Sequence, residues 1–138
     1  MRALALCLIA FTVGCGGGDD GPRTSPTPVN PPFNQTMTGT VSSFGTVRHP
    51  LTIPRAGNMS LRLTWTDPVV DLDLYLAPVG CTTLHPLSSC GVLAASDAAT
   101  GTQESIARTV NNGESYQIWV DNLNLTRPQS YTLTLTIQ

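Results

Sequence analysis

Apolar and polar residues alternate with period two along short runs of this chain, and two of those runs lie back to back in Leu61–Leu76. Leu61, Leu63 and Trp65 alternate with Arg62 and Thr64. A short turn follows at Asp67-Pro68, after which Leu72, Leu74 and Leu76 alternate with Asp71, Asp73 and Tyr75. Successive side chains of a strand point to opposite faces, so each run sends one row of large apolar groups into a core. The same pattern predicts strands at Met37–Val41, Val47–Ile53, Val92–Ser96, Glu104–Val110, Ser115–Asp121 and Tyr131–Ile137. Pro50 marks the second strand as an edge or a bulge, and Asn111-Asn112-Gly113 is a strong turn signal between strands. Ala77–Cys90 reads as a long loop and Asn122–Gln129 as a polar one. About eight short strands with turns between them, and no convincing helix, predict an all-β, antiparallel, jelly-roll-like β-sandwich. Its expected core is Met37, Val41, Leu51, Ile53, Leu61, Leu63, Trp65, Leu72, Leu74, Leu76, Ile106, Tyr116, Ile118, Val120, Tyr131, Leu133, Leu135 and Ile137.

The first 32 residues do not follow this pattern. Arg2, an apolar run from Ala3 to Phe11 and small residues after it have the parts of an export signal. The run is shorter than the about 20 apolar residues of a transmembrane helix. Thr12-Val13-Gly14-Cys15 resembles the lipobox of bacterial lipoproteins, with Thr12 where Leu is commonest. That resemblance implies a signal peptide over residues 1–14 and palmitate-type lipidation of Cys15. Gly16 after Cys15 implies delivery to the outer membrane. Each buried acyl methylene contributes about 0.8 kcal/mol, so several chains on one cysteine hold a small protein to a bilayer. Residues 15–32, with Gly16-Gly17-Gly18 and five prolines, form an extended linker. At about 3.1 Å per residue, it could lift the domain at residues 33–138 roughly 55 Å from the headgroups.

Charge narrows the partners. The chain has no lysine, and loss of Arg2 leaves six arginines against nine Asp and Glu. With no basic run, nucleic acid is disfavoured, and so is electrostatic adhesion to an anionic membrane. Cys81 and Cys90 remain as an even pair in an exported domain, which predicts a disulfide. Closing so short a loop contributes roughly 2–3 kcal/mol. A metal or redox site is the alternative, with His85 inside the loop as its one histidine.

Asp71 and Asp73 lie two apart on a strand and share a face. They are read first as carboxylates that accept backbone N–H bonds and hold loops. Calcium is the alternative cofactor, none being required. It takes six to eight oxygens, for which Asp67, Asp97, Asp121 and Asn122 are the further candidates. No nucleophile elbow or other spaced catalytic motif accompanies His49 and His85, which are expected to be exposed loop or edge residues. A non-catalytic protein is expected. Tyr75, Gln117 and Trp119 are the candidate binding surface, since an exposed aromatic on a sandwich face can stack on a sugar or a partner's proline. Otherwise Trp119 packs under a loop.

Taken in order, the Gly39 strand, Leu61–Trp65, Asp71–Leu76, Ala94-Ala95-Ser96, Glu104-Ser105-Ile106, Asn112-Gly113 before Tyr116, and Tyr131–Leu135 resemble the bacterial pre-peptidase C-terminal domain, a β-sandwich related to clostridial collagen-binding modules. The Cys81–Cys90 loop is an insertion relative to that pattern. The resemblance implies a non-catalytic module, some relatives binding protein fibres, polysaccharide or calcium. The functional expectation is an envelope lipoprotein presenting a binding module for protein or polysaccharide. The alternatives are an assembly lipoprotein partnering another envelope protein, and a calcium-stabilised accessory domain of a secreted peptidase.

Overall fold

A computed structural model describes residues 30–138 of the chain. The expected signal peptide, Cys15 and the expected linker up to residue 29 lie outside the described residues. Eight strands form two four-stranded antiparallel sheets. They are β1 (Phe33–Val41), β2 (Gly45–Thr52), β3 (Gly57–Trp65), β4 (Leu72–Pro78), β5 (Ala94–Ser96), β6 (Gln103–Val110), β7 (Ser115–Asn122) and β8 (Gln129–Ile137). One sheet has the order β1-β8-β3-β6 and the other β2-β7-β4-β5. The predicted all-β sandwich is thus observed. One helical turn, α1 (Leu87–Cys90), lies within the Ala77–Cys90 loop. Among the described residues, no helix is long and apolar enough to cross a membrane.

Only β4 and β5 follow one another within a sheet; every other connection crosses between layers. The two strands of Leu61–Leu76 are therefore not hairpin partners: β3 is in one sheet and β4 in the other. Their leucines face each other across the core. Trp65 sits at the crossing, where its indole Nε1 donates to the carbonyl of Val70 at 2.7 Å. Asp67 shapes the turn by accepting the N–H of Val69 at 3.0 Å. Asn112-Gly113 likewise joins strands of opposite sheets. Its turn is pinned by Glu114, which accepts from the Asn111 N–H, the Asn111 side chain and the Tyr116 hydroxyl. Those bonds hold the Glu114 carboxyl down at about 2.

The observed core contains the expected residues and adds Met59, Val70 and Val110, while Met37 is only partly buried against it. Pro50 lies on an edge strand, as its missing N–H requires. His49 is not an exposed edge residue: it faces the interlayer space, and its Nε2 meets the Tyr131 hydroxyl of the other sheet at 2.7 Å. Gly39 is paired with Tyr131 across β1 and β8. A Cβ on Gly39 would come within 2.5 Å of that hydroxyl, so the phenol lies where only glycine leaves room.

Candidate functional site

The outer face of the second sheet is where the sequence places most of its candidate chemistry. Asp73 and Tyr75 of β4 stand directly opposite Asp121 and Trp119 of β7. Strand alternation brings Asp73, Tyr75 and Ala77, and Gln117, Trp119 and Asp121, to that face. They are not exposed there. The Cys81–Cys90 disulfide is formed, with Cα atoms 4.9 Å apart. Its loop packs Cys81, Leu84 and Cys90 onto Tyr75, Ala77 and Trp119 as a second apolar cluster. Tyr75, Gln117 and Trp119 are all buried, Trp119 to 5% exposure. The expected binding surface is therefore a covered one, because the inserted loop has its own apolar groups to bury. The alternation in β4 and β7 foreshadows this: neither strand offers the outer face a run of small hydroxyl residues as β8 does.

The loop is latched by His85, whose Nε2 lies 2.7 Å from Asp121 Oδ2. Beside it, Asp73 is buried and accepts the Tyr75 hydroxyl at 3.0 Å. Burial, helped by the charges of Asp71, Asp121 and Asp97, raises the Asp73 carboxyl to about 6 against the lowering effect of the Tyr75 hydrogen bond. Burial and the charge of Asp97 also raise Asp71, whose Oδ1 has no hydrogen-bond partner. Burial raises the Tyr75 hydroxyl too. Asp71, Asp121 and Asp97 thus lie close enough to act on Asp73.

Two other candidate ligands are used elsewhere. Asp67 pairs with Arg127 at 3.1 Å in addition to its turn. Asn122 is a clamp between loops: its Nδ2 donates to the carbonyls of Ser42 and Arg127, and its Oδ1 accepts the Asn124 N–H. Among the described residues, no three His, Cys, Asp or Glu side chains form a metal-holding group.

The sequence reading missed the surface that these clamps build. The β1–β2 turn, the β3–β4 crossing and the β7–β8 loop meet at one end of the sandwich. The Phe44 N–H donates to the Asn124 carbonyl at 2.8 Å, and Asn124 Nδ2 reaches the Val69 carbonyl at 3.5 Å. The Asn124 side-chain oxygen accepts the N–H groups of Thr126 and Arg127. From this fixed base Phe44, Val69, Leu123 and Leu125 project into solvent, Phe44 at 70% exposure and Leu125 at 73%. Phe44 also has φ +48°, the one non-glycine residue at positive φ among the described residues. A bulky residue there is an outlier that glycine or asparagine would relieve. Leu123 and Leu125, inside a segment that reads as polar, were the available signal. The β1–β2 turn and Val69 gave none, because only the fold brings those loops together.

No protein-family model matches the chain, and no curated protein matches it. Solved structures do. A periplasmic lysozyme inhibitor of g-type lysozyme from Aeromonas hydrophila, PliG, aligns with TM-score 0.57 and 11% identity, over 76% of this chain and 86% of that one. The Yersinia pseudotuberculosis-derived mitogen aligns with TM-score 0.55 and 22% identity, over 78% and 87%. The pre-peptidase C-terminal domain of the collagenase from Bacillus anthracis aligns with TM-score 0.56 and 14% identity, over 74% and 88%. These likenesses establish a shared β-sandwich fold, including that of the pre-peptidase C-terminal domain.

Proposed function

We propose that the chain is a non-catalytic binding module, held at the cell envelope by a lipid on Cys15, and that its ligand is a protein gripped by the loop end of the sandwich. The observation that carries this is the exposed set Phe44, Val69, Leu123 and Leu125 on three hydrogen-bonded loops. Apolar groups on a pre-ordered base lose little entropy on binding, and a strained exposed aromatic points to a role outside the fold. Flexible apolar tips with no fixed base would not support this reading. Both histidines are engaged within the fold, one with Tyr131 and the other with Asp121. One structural neighbour is a periplasmic inhibitor of a lysozyme, which favours a protein over a polysaccharide ligand and an envelope location.

Affinity capture from envelope fractions with the full chain, beside a glycan array, tests the proposal. The expected result is one protein retained in stoichiometric amount and lost with Leu125→Asp. Retention of glycans alone, or capture indifferent to Leu125→Asp and Phe44→Ser, overturns it.

A further inference from the structure

Beside Phe44 the surface dips into a cavity of about 270 Å3 lined by Phe44, Thr46, His85, Asp121 and Leu123. We propose that this pocket receives a lysine or arginine side chain of the protein partner, its aliphatic stem between Phe44 and Leu123 and its cationic head on Asp121. The inference rests on the proposed binding function and names the partner's chemistry at the same site.

The walls and the floor ask for different things. Phe44 and Leu123 offer apolar contact, while Asp121, 2% exposed, offers one buried carboxylate. Long basic side chains combine an apolar stem with a charged tip. An aliphatic or aromatic side chain would satisfy the walls and leave the carboxylate with His85 alone. An anionic ligand would meet Asp121 head on.

Charge around the floor points the same way. Thr46, Asp121 and Asp73 stand in one row across β2, β7 and β4, and Asp71 and Asp97 lie close enough to act on Asp73. Like charges directly opposite on a sheet destabilise it. The cations on hand do not balance them. Arg127 is paired with Asp67, and Arg48 lies over the Trp119 ring, 5.8 Å from its centroid. Asp121 has only His85, whose side chain is half exposed. A guanidinium or ammonium entering the pocket adds the missing positive charge beside Asp121.

The test is a nuclear magnetic resonance titration of the full chain with N-acetyl-arginine methylamide. The matching citrulline amide serves as neutral isostere and the glutamate amide as opposite charge. The expected result is shifts at the Thr46, Asp121 and Leu123 amides, and binding of the arginine probe at least about tenfold tighter than citrulline. Asp121→Asn abolishes that preference. Leu123→Trp, which fills the pocket from its exposed rim and leaves Asp121 in place, blocks the arginine probe and serves if Asp121→Asn does not fold. Equal binding of arginine and citrulline, or a preference that survives both variants, overturns the assignment. A captured partner lost with Leu125→Asp but held normally by Asp121→Asn and Leu123→Trp overturns this inference alone. Arginine binding in the pocket without any captured partner overturns the binding function and, with it, the partner side chain assigned to the pocket.

Discussion

His85 Nε2 lies 2.7 Å from Asp121 Oδ2, and this contact ties the disulfide loop to the central strand β7. The loop thereby covers Trp119 and closes one side of the pocket that Asp121 floors. Structural cover and candidate binding floor meet at one carboxylate.

The loop acts as a lid on a second core rather than as an independent appendage. Cys81→Ser/Cys90→Ser is expected to destabilise by about 2–3 kcal/mol, and to shift Trp119 fluorescence towards that of a solvated indole. The main core between the sheets stays folded, since it contains none of the second cluster's residues. Urea unfolding followed by tryptophan emission reads both effects. Unchanged emission in the double variant would mean that the loop does not need its disulfide to cover Trp119.

Trp119→Ala is expected to cost about 3–5 kcal/mol, as for a large aromatic removed from a core. The protein that remains folded should hold its partner normally. A variant of normal stability that loses binding would return Trp119 to the binding surface.

The fold was legible in the sequence because the core is written in period two. Leu133, Leu135 and Ile137, and Leu61, Leu63 and Trp65, had one buried face that fixed their register. Pairing was not legible, since short turns such as Asp67-Pro68 suit a hairpin and a layer crossing equally. Of the candidate site, the alternation of β4 put Asp73 on the outer face, although the strand begins only after Asp71, and the cover over that face was not legible. Tyr75 and Trp119 read as surface only until Leu84 and the cystine are placed on them. Asn122, a loop clamp, looks in sequence like any oxygen ligand in a turn. Phe44 and Leu125 lie about 80 residues apart in the chain, a separation that only the packing of loops removes.

Asp73 gives the domain a pH dependence of known sign. Its carboxyl is raised from 3.8 to about 6 in the fold. Its favourable contribution is therefore complete below the unfolded value and is lost as pH rises through about 6. Asp73→Asn should remove that loss and stabilise the protein at pH 7.5 by about 2 kcal/mol, with little gain at pH 4. Glu114, held at about 2, is ionised throughout the window and leaves the comparison clean. Chemical denaturation at both pH values checks this. An Asp73→Asn variant less stable at pH 7.5 than the parent would show that the ionised carboxylate is favourable.

Gly39 and Tyr131 are expected to be coupled. Gly39→Ala forces its methyl against the Tyr131 hydroxyl and should cost about 1–3 kcal/mol. Combined with Tyr131→Phe, which removes that oxygen along with its bond to His49, the loss should be smaller than the sum of the two single losses. Strict additivity in a double-mutant cycle would place the phenol elsewhere.

Phe44→Gly separates folding from function most directly. Glycine relieves the positive φ of that residue, and little buried surface is lost. Melting should hold or rise, by about 0.5–1 kcal/mol after the flexibility of glycine in the unfolded chain is counted. Measured together by calorimetry and partner capture with the full chain, Phe44→Gly is predicted to fold as well as or better than the parent and to lose the partner. Undiminished capture by Phe44→Gly would contradict the central claim that the loop end is the binding surface.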